Sequence, residues 1–400
     1  MKIAILRETK NPPDHRAPFT PLQCQQLMKQ FQGLEICIQP DTARCYTNEE
    51  YEQLGVCLQE DVSNCSLLLG VKEVKIEYLI AGKAYMFFSH TAKKQKHNLA
   101  LLRAVIEKNV QLIDYEYLTD SRKQRIVAFG RWAGVVGAYN AMRAYGLRYK
   151  KFTLKPAWQC KDKEEIISHL SEITIENQRI VITGGGRVAS GAMEILGDVG
   201  FRKVSPEEFL SKNDSNVYTQ LDPAYYVRRK ENKEFDLKHF FDFPQEYDNS
   251  FLPFTKVADM FIACHFWHPR SPVLMTQENM QAADFKIKII ADISCDTPGP
   301  IPSTLKASTI ADPFFGYQAK TGKESDPFDL NNITIMSVDN LPGELPRDAS
   351  EDFGSKLASD VIPSLLGIAD PTVIQRATIT KDGKLTEAFI YLRDFVNGKE

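Results

Sequence analysis

A glycine-rich turn between an apolar strand and a helix places the tightest constraint on how this chain folds. The run Arg179–Thr183 predicts a buried strand, and Gly184–Gly186 follows it directly. Small and apolar residues in 189–196 then predict a helix. A Gly-x-Gly-x-x-Ala turn in this context is typical of dinucleotide binding, because glycine lets the backbone approach a pyrophosphate at the helix N-terminus. We therefore predict a parallel α/β domain around this turn.

The rest of the chain repeats the same alternation of short apolar runs and helical patterns. Lys2–Leu6, Cys65–Val71 and Val110–Asp114 predict strands, Pro21–Phe31 predicts a helix, and a longer helical stripe begins at Trp132. Strands that alternate with helices indicate βαβ units and a parallel sheet. We predict an α/β protein with two doubly wound, Rossmann-like domains and a cleft between them.

The position of the long helix suggests the domain boundaries. Residues 1–130, together with about 353–400, are predicted to form a discontinuous substrate-binding domain. Residues 131–352 are predicted to form the dinucleotide-binding domain. Two segments with little periodicity, near 205–250 and 312–332, are interpreted as insertions in that second domain.

Composition excludes several classes of protein. Hydrophobic residues make up 43% of the chain, and the formal net charge is −3, so no global basic field favours nucleic acid or anionic lipid. No apolar run reaches the roughly 18 residues of a membrane span. The eight cysteines include no Cys-x-x-Cys pair, which favours free thiols in the cytoplasm over a disulfide framework.

Three polar residues follow predicted strands in the first third of the chain. Arg16 comes after the first strand, Lys72 ends the strand Leu67–Val71, and His90 ends Ala84–Phe88. Ligands bind at the carboxyl ends of strands in open parallel sheets. We therefore expect Lys72 and His90 to point into the same crevice.

The second strand of the dinucleotide unit is predicted to end at Lys203–Ser205. An Asp or Glu at that end would bind the adenosine ribose and favour NAD. Ser205 stands there instead, with Arg187 and Arg202 nearby, which leans towards NADP. Glu207 and its neighbour Glu208 keep NAD open.

His265 and His268 lie close together in sequence, but we predict no metal site. Pro269 and the preceding strand argue against a helix that would align the two rings. No cysteine or carboxylate completes the set at ligand spacing.

Several longer motifs give a more specific indication. They are RAPFTP (16–21), GVKE (70–73), FFSHTAKKQ (87–95), LIDYEYL (112–118), RIVAFGRWAGVVG (125–137), ADISCD (291–296), DPFFGY (312–317) and SVDNLPGELPRDAS (337–350). With these motifs the chain resembles the lysine-forming saccharopine dehydrogenases. It is more similar still to the lysine–2-oxoglutarate reductase domain of the bifunctional lysine-degrading enzyme. The wider superfamily includes alanine dehydrogenase and transhydrogenase.

The resemblance implies an oxidoreductase that condenses L-lysine with 2-oxoglutarate and reduces the product to saccharopine, reversibly and with NAD(P)H. It implies that Lys72 and His90 are the catalytic base and acid, with Glu73 and Glu116 tuning the pKa of Lys72. The implied substrate contacts are Arg16, Gln95, Arg125, Phe129, Ser294, Cys295 and Asp296.

The resemblance and the glycine turn together give the cofactor residues. They are Gly184, Gly186, Arg187, Val188, Ala189, Ser205, Phe266, Ile293, Val338, Asp339, Asn340 and Leu341. Gln124 stands where NAD-using single-domain relatives carry an arginine, which again leaves NAD and NADP open. No metal cofactor is implied.

Two other functions stay open. One is an alanine-dehydrogenase-like or other opine-forming amino acid dehydrogenase, and the other is a non-enzymatic nucleotide-sensing domain. In each case the expected partners are small molecules, with no nucleic acid and no membrane. A homo-oligomer, the physiological direction of the reaction and the amino acid specificity are left open.

Overall fold

The computed structural model describes residues 1–399, and the chain divides into two compact units. The first unit contains residues 1–129 and the return segment that begins at Pro346, and the second contains Gly130–Leu345. One eight-stranded sheet forms the centre of each unit. Within residues 1–399, no helix has both the length and the apolar character that crossing a bilayer requires.

The strands are short, and several of them lie within the apolar runs predicted above. Residues 1–129 contribute β1 (Lys2–Ile5), β2 (Glu35–Ile38), β3 (Cys57–Leu58), β4 (Leu67–Leu69), β5 (Ala84–Phe87) and β6 (Gln111–Asp114). The second unit contributes β7 (Arg179–Thr183), β8 (Arg202–Lys203), β9 (Val217–Leu221), β10 (Val227–Arg229), β11 (Tyr247–Asn249), β12 (Met260–Ala263), β13 (Ile289–Asp292), β14 (Phe314–Gln318), β15 (Lys323–Ser325) and β16 (Ile333–Met336). The return segment adds β17 (Thr378–Lys381) and β18 (Lys384–Leu385).

The helices are distributed in the same three blocks. Residues 1–129 contribute α1 (Pro21–Gln30), α2 (Asn48–Gln53) and α3 (Leu99–Glu107). The second unit contributes α4 (Gly130–Tyr149), α5 (Lys163–Ser171), α6 (Arg187–Asp198), α7 (Pro206–Ser211), α8 (Pro223–Tyr226), α9 (Leu237–Asp242), α10 (Leu252–Thr255) and α11 (Gln277–Gln281). The return segment contributes α12 (Pro346–Lys356), α13 (Ile362–Leu365), α14 (Thr372–Ala377) and α15 (Arg393–Val396).

The start of α1 shows how local sequence fixes a helix boundary. The Thr20 hydroxyl accepts from the Gln23 amide at 3.2 Å, and the Gln23 side chain accepts from the Thr20 amide at 2.9 Å. Pro21, at the first helical position, has no N–H that would need a partner. This reciprocal cap satisfies backbone donors that the helix leaves unpaired and sets where the segment after the first strand turns into a helix.

The sheet of the first unit has the order β18-β17-β6-β5-β4-β1-β2-β3. The six strands from β6 to β3 pair in parallel, and β17 lies antiparallel to β6. The chain first builds outward from β1 to β2 and β3, and then from β4 to β6 on the other side. The direction of winding therefore reverses between β1 and β4, which is where doubly wound sheets bind ligands.

The sheet of the second unit has the order β15-β14-β16-β13-β12-β7-β9-β8. Its winding reverses between β7 and β12, and β14 and β15 extend one edge in antiparallel orientation. All residues of β12 and β13 are buried, which explains why both strands are apolar apart from Asp292 at the end of β13. The predicted α/β class with two doubly wound sheets is confirmed.

The interpretation of 205–250 and 312–332 as insertions is wrong in both places. Strand β9 lies inside the first segment and pairs with β7 over five residues, from Arg179↔Val217 to Thr183↔Leu221. The second segment contains β14 and β15, which belong to the main sheet. Only the hairpin of β10 and β11 forms a separate two-stranded sheet. Polar residues around β9 obscured its short alternating pattern.

Helices α4 and α6 pack backbone against backbone. A methyl group on Gly134 would overlap the Val188 carbonyl oxygen, and one on Gly191 would overlap the Arg131 carbonyl oxygen. Gly197, on the exposed face of α6, has no atom within 4 Å of such a methyl group. The two helices therefore touch through glycine, while α6 carries one glycine outside the contact.

We expect Gly134→Ala to lower the free energy of unfolding by about 1–3 kcal/mol, because the added carbon must force the helices apart. The matched control Gly197→Ala should raise stability by about 0.5–1 kcal/mol, because alanine favours the helix and the site is open. Urea unfolding of both variants measures this. Equal effects from the two substitutions would contradict the close α4–α6 contact.

Candidate active site

Four adjacent parallel strands of the first unit carry the predicted catalytic and binding residues at one edge. Arg16 follows β1, Lys72 follows β4, His90 follows β5, and Glu116 follows β6. Because parallel strands end at the same edge of a sheet, this order brings the four side chains to one side of the unit. Lys72 and His90 thus follow neighbouring parallel strands, and their convergence in one crevice stays a prediction.

Arg16 forms a buried ion pair with Asp14. Its Nε donates to Asp14 Oδ1 at 2.8 Å and its Nη2 to Oδ2 at 2.6 Å, and both side chains are at most 3% exposed. The guanidinium lies 4.1 Å from the centre of the Phe129 ring, which stacks on Phe353 at 4.4 Å. Burial raises the pKa of Asp14, but the Arg16 charge and hydrogen bonds hold it well below its usual range. Asp14 was not predicted as a site residue.

Lys72 sits in surroundings that favour its neutral amine. Burial lowers its pKa, and the positive charge of Arg16 lowers it further, while Asp14 and Glu73 act in the opposite direction. Glu73 itself pairs with Lys10, its Oε1 lying 3.0 Å from Nζ. A lowered pKa favours the neutral form of an amine, which is the form that can accept a proton.

His90 belongs to a cluster of charged side chains. Its Nδ1 lies 3.4 Å from Glu116 Oε2 and 3.2 Å from Lys93 Nζ. Lys93 and Arg125 also reach Glu116 Oε1, at 3.0 and 3.2 Å. Burial raises the pKa of Glu116, but His90, Lys93 and Arg125 together lower it to about 2. Glu116 is thus an anion that contacts the histidine, and Lys93 is a member of the cluster that sequence reasoning missed.

A buried carboxylate fixes the backbone on both sides of this cluster. Asp114 accepts from the Ser89 amide at 3.0 Å, from the Ser89 hydroxyl at 2.5 Å and from the Glu116 amide at 2.8 Å. His90 adopts a left-handed conformation with φ of 53°, which a residue other than glycine rarely adopts. The Asn98 amide group holds the same loop, donating to the His90 carbonyl and to Gln95 Oε1, both at 3.3 Å.

The glycine turn of the second unit has room for a phosphate where the motif requires it. Gly184 has φ of +93°, and a Cβ there would lie 2.7 Å from the Cys264 carbonyl oxygen. At Gly186, the N-cap of the twelve-residue helix α6, a Cβ would meet nothing within 4 Å. Open space at a helix N-terminus beside backbone N–H groups fits a pyrophosphate. The residues present therefore fit a dinucleotide at this turn.

The acid beside the glycine turn is Asp222, and the prediction for Ser205 is wrong. The strand next to β7 is β9, and Asp222 follows its last residue. A methyl group on Gly185 would overlap Asp222 Oδ1, which also accepts from Gln220 Nε2 at 2.9 Å. Ser205 instead caps α7, accepting from the Glu208 amide at 3.1 Å, because β8 is only a two-residue edge strand.

The remaining predicted cofactor residues follow the neighbouring strands of the same sheet. Phe266 follows β12 and is 74% exposed, while Val338 and Leu341 follow β16 and are buried. Ile293 follows β13 and packs against Gly137 of α4. Arg187, Val188 and Ala189 form the first turn of α6, and Asp339 and Asn340 lie between Val338 and Leu341. The strand order thus brings these segments to one edge of the second sheet.

Buried Asp292 at the end of β13 organises the run from Ser294 to Asp296. Asp292 Oδ1 accepts from the Ser294 amide at 3.1 Å, the Ser294 hydroxyl at 2.6 Å and the Cys295 amide at 3.2 Å. Cys295 is left-handed with φ of 55°, and its thiol donates to the Ser337 carbonyl at 3.0 Å. Burial and the charge of Asp292 raise the pKa of Asp296 to about 6.

The two histidines near Pro269 have separate partners. His265 is buried, and its Nδ1 lies 2.6 Å from the Thr183 hydroxyl, while His268 Nδ1 accepts from the Arg270 amide at 3.1 Å. Burial lowers the pKa of His265 to about 4. A group of possible metal ligands lies elsewhere in the second unit. There, Cys160, Glu165 and His169 bring their ligand atoms within 4.8 Å of one another. There Glu165 already pairs with Lys155 at 2.6 Å.

Comparison with known proteins shows which fold this chain shares. Residues 4–136 match the family described as alanine dehydrogenase/PNT, N-terminal domain. The fold matches an L-alanine dehydrogenase with a TM-score of 0.65 at 14% identity, covering 99% of this chain and 100% of that one. It also matches a transhydrogenase from Sinorhizobium meliloti with a TM-score of 0.62 at 13% identity, covering 96% and 100%. The chain shares the fold of these two proteins, and residues 4–136 resemble their N-terminal domain family.

Two curated proteins match the chain at higher sequence identity than these two structures. The chain is 31% identical over 450 residues to the mitochondrial alpha-aminoadipic semialdehyde synthase of Rattus norvegicus, covering 100% of this chain and 48% of that protein. It is 25% identical over 389 residues to saccharopine dehydrogenase (NAD(+), L-lysine-forming) of Emericella nidulans, covering 92% of each. The chain thus spans about half the length of the synthase. The resemblance to the lysine-forming saccharopine dehydrogenases, stated above from the motifs, is confirmed.

A buried acid close to the segment 338–341 gives a stability prediction. Glu344 is 0% exposed, its Oε1 accepts from Asn140 Nδ2 at 3.0 Å, and burial raises its pKa to about 7. In an unfolded chain a glutamate titrates near ~4.3. A raised pKa means that stability is full below the unfolded value and is lost as the pH rises through the folded value.

We therefore expect the stability of Glu344→Gln relative to the parent chain to rise by roughly 2–3 kcal/mol between pH 5 and pH 8, because glutamine carries no charge to bury. Urea unfolding at the two pH values measures the difference. Exposed Glu324→Gln is the matched control and should show little change. A difference that does not depend on pH would contradict the buried, titrating Glu344.

Proposed function

We propose that this protein is a nicotinamide-dependent amino acid dehydrogenase that joins the ε-amine of L-lysine to 2-oxoglutarate and reduces the imine to saccharopine, reversibly. The observation that carries the proposal is the set of side chains at the carboxyl ends of β1, β4, β5 and β6. A lysine with a lowered pKa, a histidine and two arginines suit the chemistry of a carboxylate-bearing carbonyl compound and an amine. The names of the relatives, which are saccharopine dehydrogenases and semialdehyde synthases, support the same reaction.

Two proton transfers are needed to form the imine, and the two catalytic candidates suit them. Neutral Lys72 would take a proton from the substrate ammonium, so that the free amine can attack the keto carbon. His90 would then donate a proton to the carbinolamine hydroxyl, which leaves as water. Glu116, an anion beside His90, would stabilise the protonated imidazole.

Cationic side chains would hold the three carboxylates of saccharopine. Arg16 and Arg125 are the candidates, since a guanidinium pairs with both oxygens of a carboxylate. Phe129, Gln95 and the run Ser294–Asp296 are proposed to complete the substrate contacts. Arg16 and Arg125 already contact Asp14 and Glu116, so a substrate carboxylate would join existing charge networks.

A reduced nicotinamide, when bound, supplies the hydride that reduces the imine carbon. The glycine turn, Phe266, Ile293 and the segment 338–341 are the proposed holders of the cofactor. Asp222 supports NAD rather than NADP, because an acid beside the turn accepts from the ribose hydroxyls and repels a 2′-phosphate. The lean towards NADP rested on Ser205, which caps α7 instead. All eight cysteines are free thiols, which supports a reducing compartment such as the cytoplasm.

The proposal is tested by following the loss of reduced nicotinamide with L-lysine plus 2-oxoglutarate, beside ammonia plus pyruvate. We expect turnover with the first pair. Turnover with ammonia and pyruvate instead would contradict the proposal and favour the alanine-dehydrogenase-like alternative. Dinucleotide binding without turnover of either pair would favour another opine-forming pair or a sensing role.

We expect Lys72→Met to lower kcat by about 100-fold or more, because the base that deprotonates the amine is lost. The dissociation constant of NADH should stay unchanged, since the glycine turn is intact. Exposed Lys75→Met is the matched control and should keep full turnover. Normal kcat in Lys72→Met would remove this residue from the mechanism.

We expect Asp222→Ser to weaken NADH binding about 10-fold and to improve the use of NADPH, because a ribose contact and a like charge are both removed. Ser205→Ala should change the dissociation constant of neither nucleotide and should cause only a small loss of helix stability. Fluorescence titration with both nucleotides measures the dissociation constants. An effect at Ser205 with none at Asp222 would overturn the assignment.

A further inference from the structure

We infer that Glu8 is a positioning residue for Lys72, holding the backbone of the proposed base by accepting from two consecutive amides. Its Oε1 accepts from the Val71 amide at 2.6 Å, and its Oε2 accepts from the Lys72 amide at 3.0 Å. None of the motifs discussed above includes Glu8. The inference rests on the proposed function, because it takes Lys72 as the base.

The Glu8 contact extends the hydrogen bonding between β1 and β4 beyond the ends of these two strands. The last backbone bond from β1 towards β4 runs from the Leu6 amide to the Leu69 carbonyl at 2.8 Å. On the other side, the Gly70 amide donates to the Met86 carbonyl and the Phe88 amide donates to the Val71 carbonyl, both at 3.1 Å. The turn that carries Lys72 is thus held by β5 on one side and by the Glu8 carboxyl on the other.

The residues after Glu8 extend this attachment. The Thr9 hydroxyl accepts from the Lys75 amide at 3.1 Å, and Lys10 Nζ lies 3.0 Å from Glu73 Oε1. Residues 8–10 therefore run beside residues 71–75 and bond to them at successive positions. Glu8 is the member of this segment that bonds to the backbone of Lys72 itself.

The two carboxyl oxygens of Glu8 accept two hydrogen bonds, and a glutamine side chain could accept only one of them. Burial and the charge of Asp14 raise the pKa of Glu8 to about 8, against the two backbone donors, which lower it. In either protonation state each carboxyl oxygen keeps a lone pair that can accept a hydrogen bond. Glutamine, which has nearly the same shape, offers one accepting oxygen and one NH₂ group that faces a second N–H donor. Glu8→Gln therefore disrupts this pair of hydrogen bonds with little change in side-chain volume.

The test compares Glu8→Gln with Glu60→Gln, a matched change at an exposed glutamate that pairs with Arg7. With L-lysine, 2-oxoglutarate and NADH, Glu8→Gln should lower kcat by about 10- to 100-fold, since small misplacement of a reacting group has effects of this size. KM for 2-oxoglutarate should change little, and Glu60→Gln should match the parent chain. Unchanged kcat in Glu8→Gln would overturn the inference.

A second readout does not depend on turnover. Trace acetylation of Lys72 as a function of pH, followed by mass spectrometry, gives the titration midpoint of its amine in the full chain. In Glu8→Gln the midpoint should move upward towards that of an ordinary lysine, because the released side chain becomes better solvated. An unmoved midpoint would overturn the inference, even if the parent chain proved inactive and the proposed function failed. Should Glu8→Gln not fold, the shorter Glu8→Asp is measured in the same way, and an unmoved midpoint would again contradict the inference.

Discussion

The buried pair of Arg16 and Asp14 is the interaction on which the site of the first unit depends. Both side chains are almost fully removed from solvent, and breaking such a pair leaves an uncompensated charge, which costs about 3–5 kcal/mol. The guanidinium is held against Phe129, and its positive charge lowers the pKa of Lys72. A single buried cation thus connects the packing of the unit with the protonation of the proposed base.

In the second unit, glycine residues and the carboxylate of Asp222 shape the turn before α6. Gly184 and Gly186 leave space at the start of α6, and Asp222 lies so close to Gly185 that a side chain there would collide with it. This geometry exists because β9, and not β8, is the neighbour of β7. Strand order therefore determines that an acid lies beside the glycine turn.

Much of the fold could be predicted from the sequence, for physical reasons that are easy to state. Buried parallel strands such as Leu67–Leu69 are continuously apolar, and the long helix α4 carries a continuous run of buried residues. Strand β9 was missed, although Val217, Thr219 and Leu221 alternate with polar or aromatic residues and Asp222 follows them. The sequence predicts β8 as the neighbour of β7, because this two-residue strand comes first after α6.

Side-chain partnerships were harder to predict than positions. Lys93 lies three residues after His90 and could have been proposed from that spacing, but nothing in the spacing of Glu8 or Asp14 indicates that they contact the turn at Lys72 or the Arg16 guanidinium. Those contacts depend on how separate strand ends meet at one edge. They also decide the protonation of the site, which a motif alone does not reveal.

The most direct test of the account follows the hydride itself. The protein is incubated with L-lysine, 2-oxoglutarate and NADH that carries deuterium at C4 of the reduced nicotinamide, and the products are analysed by mass spectrometry. We predict saccharopine with one deuterium on the carbon that came from the keto group. Deuterium in glutamate or in another amino acid, with no labelled saccharopine, would contradict it.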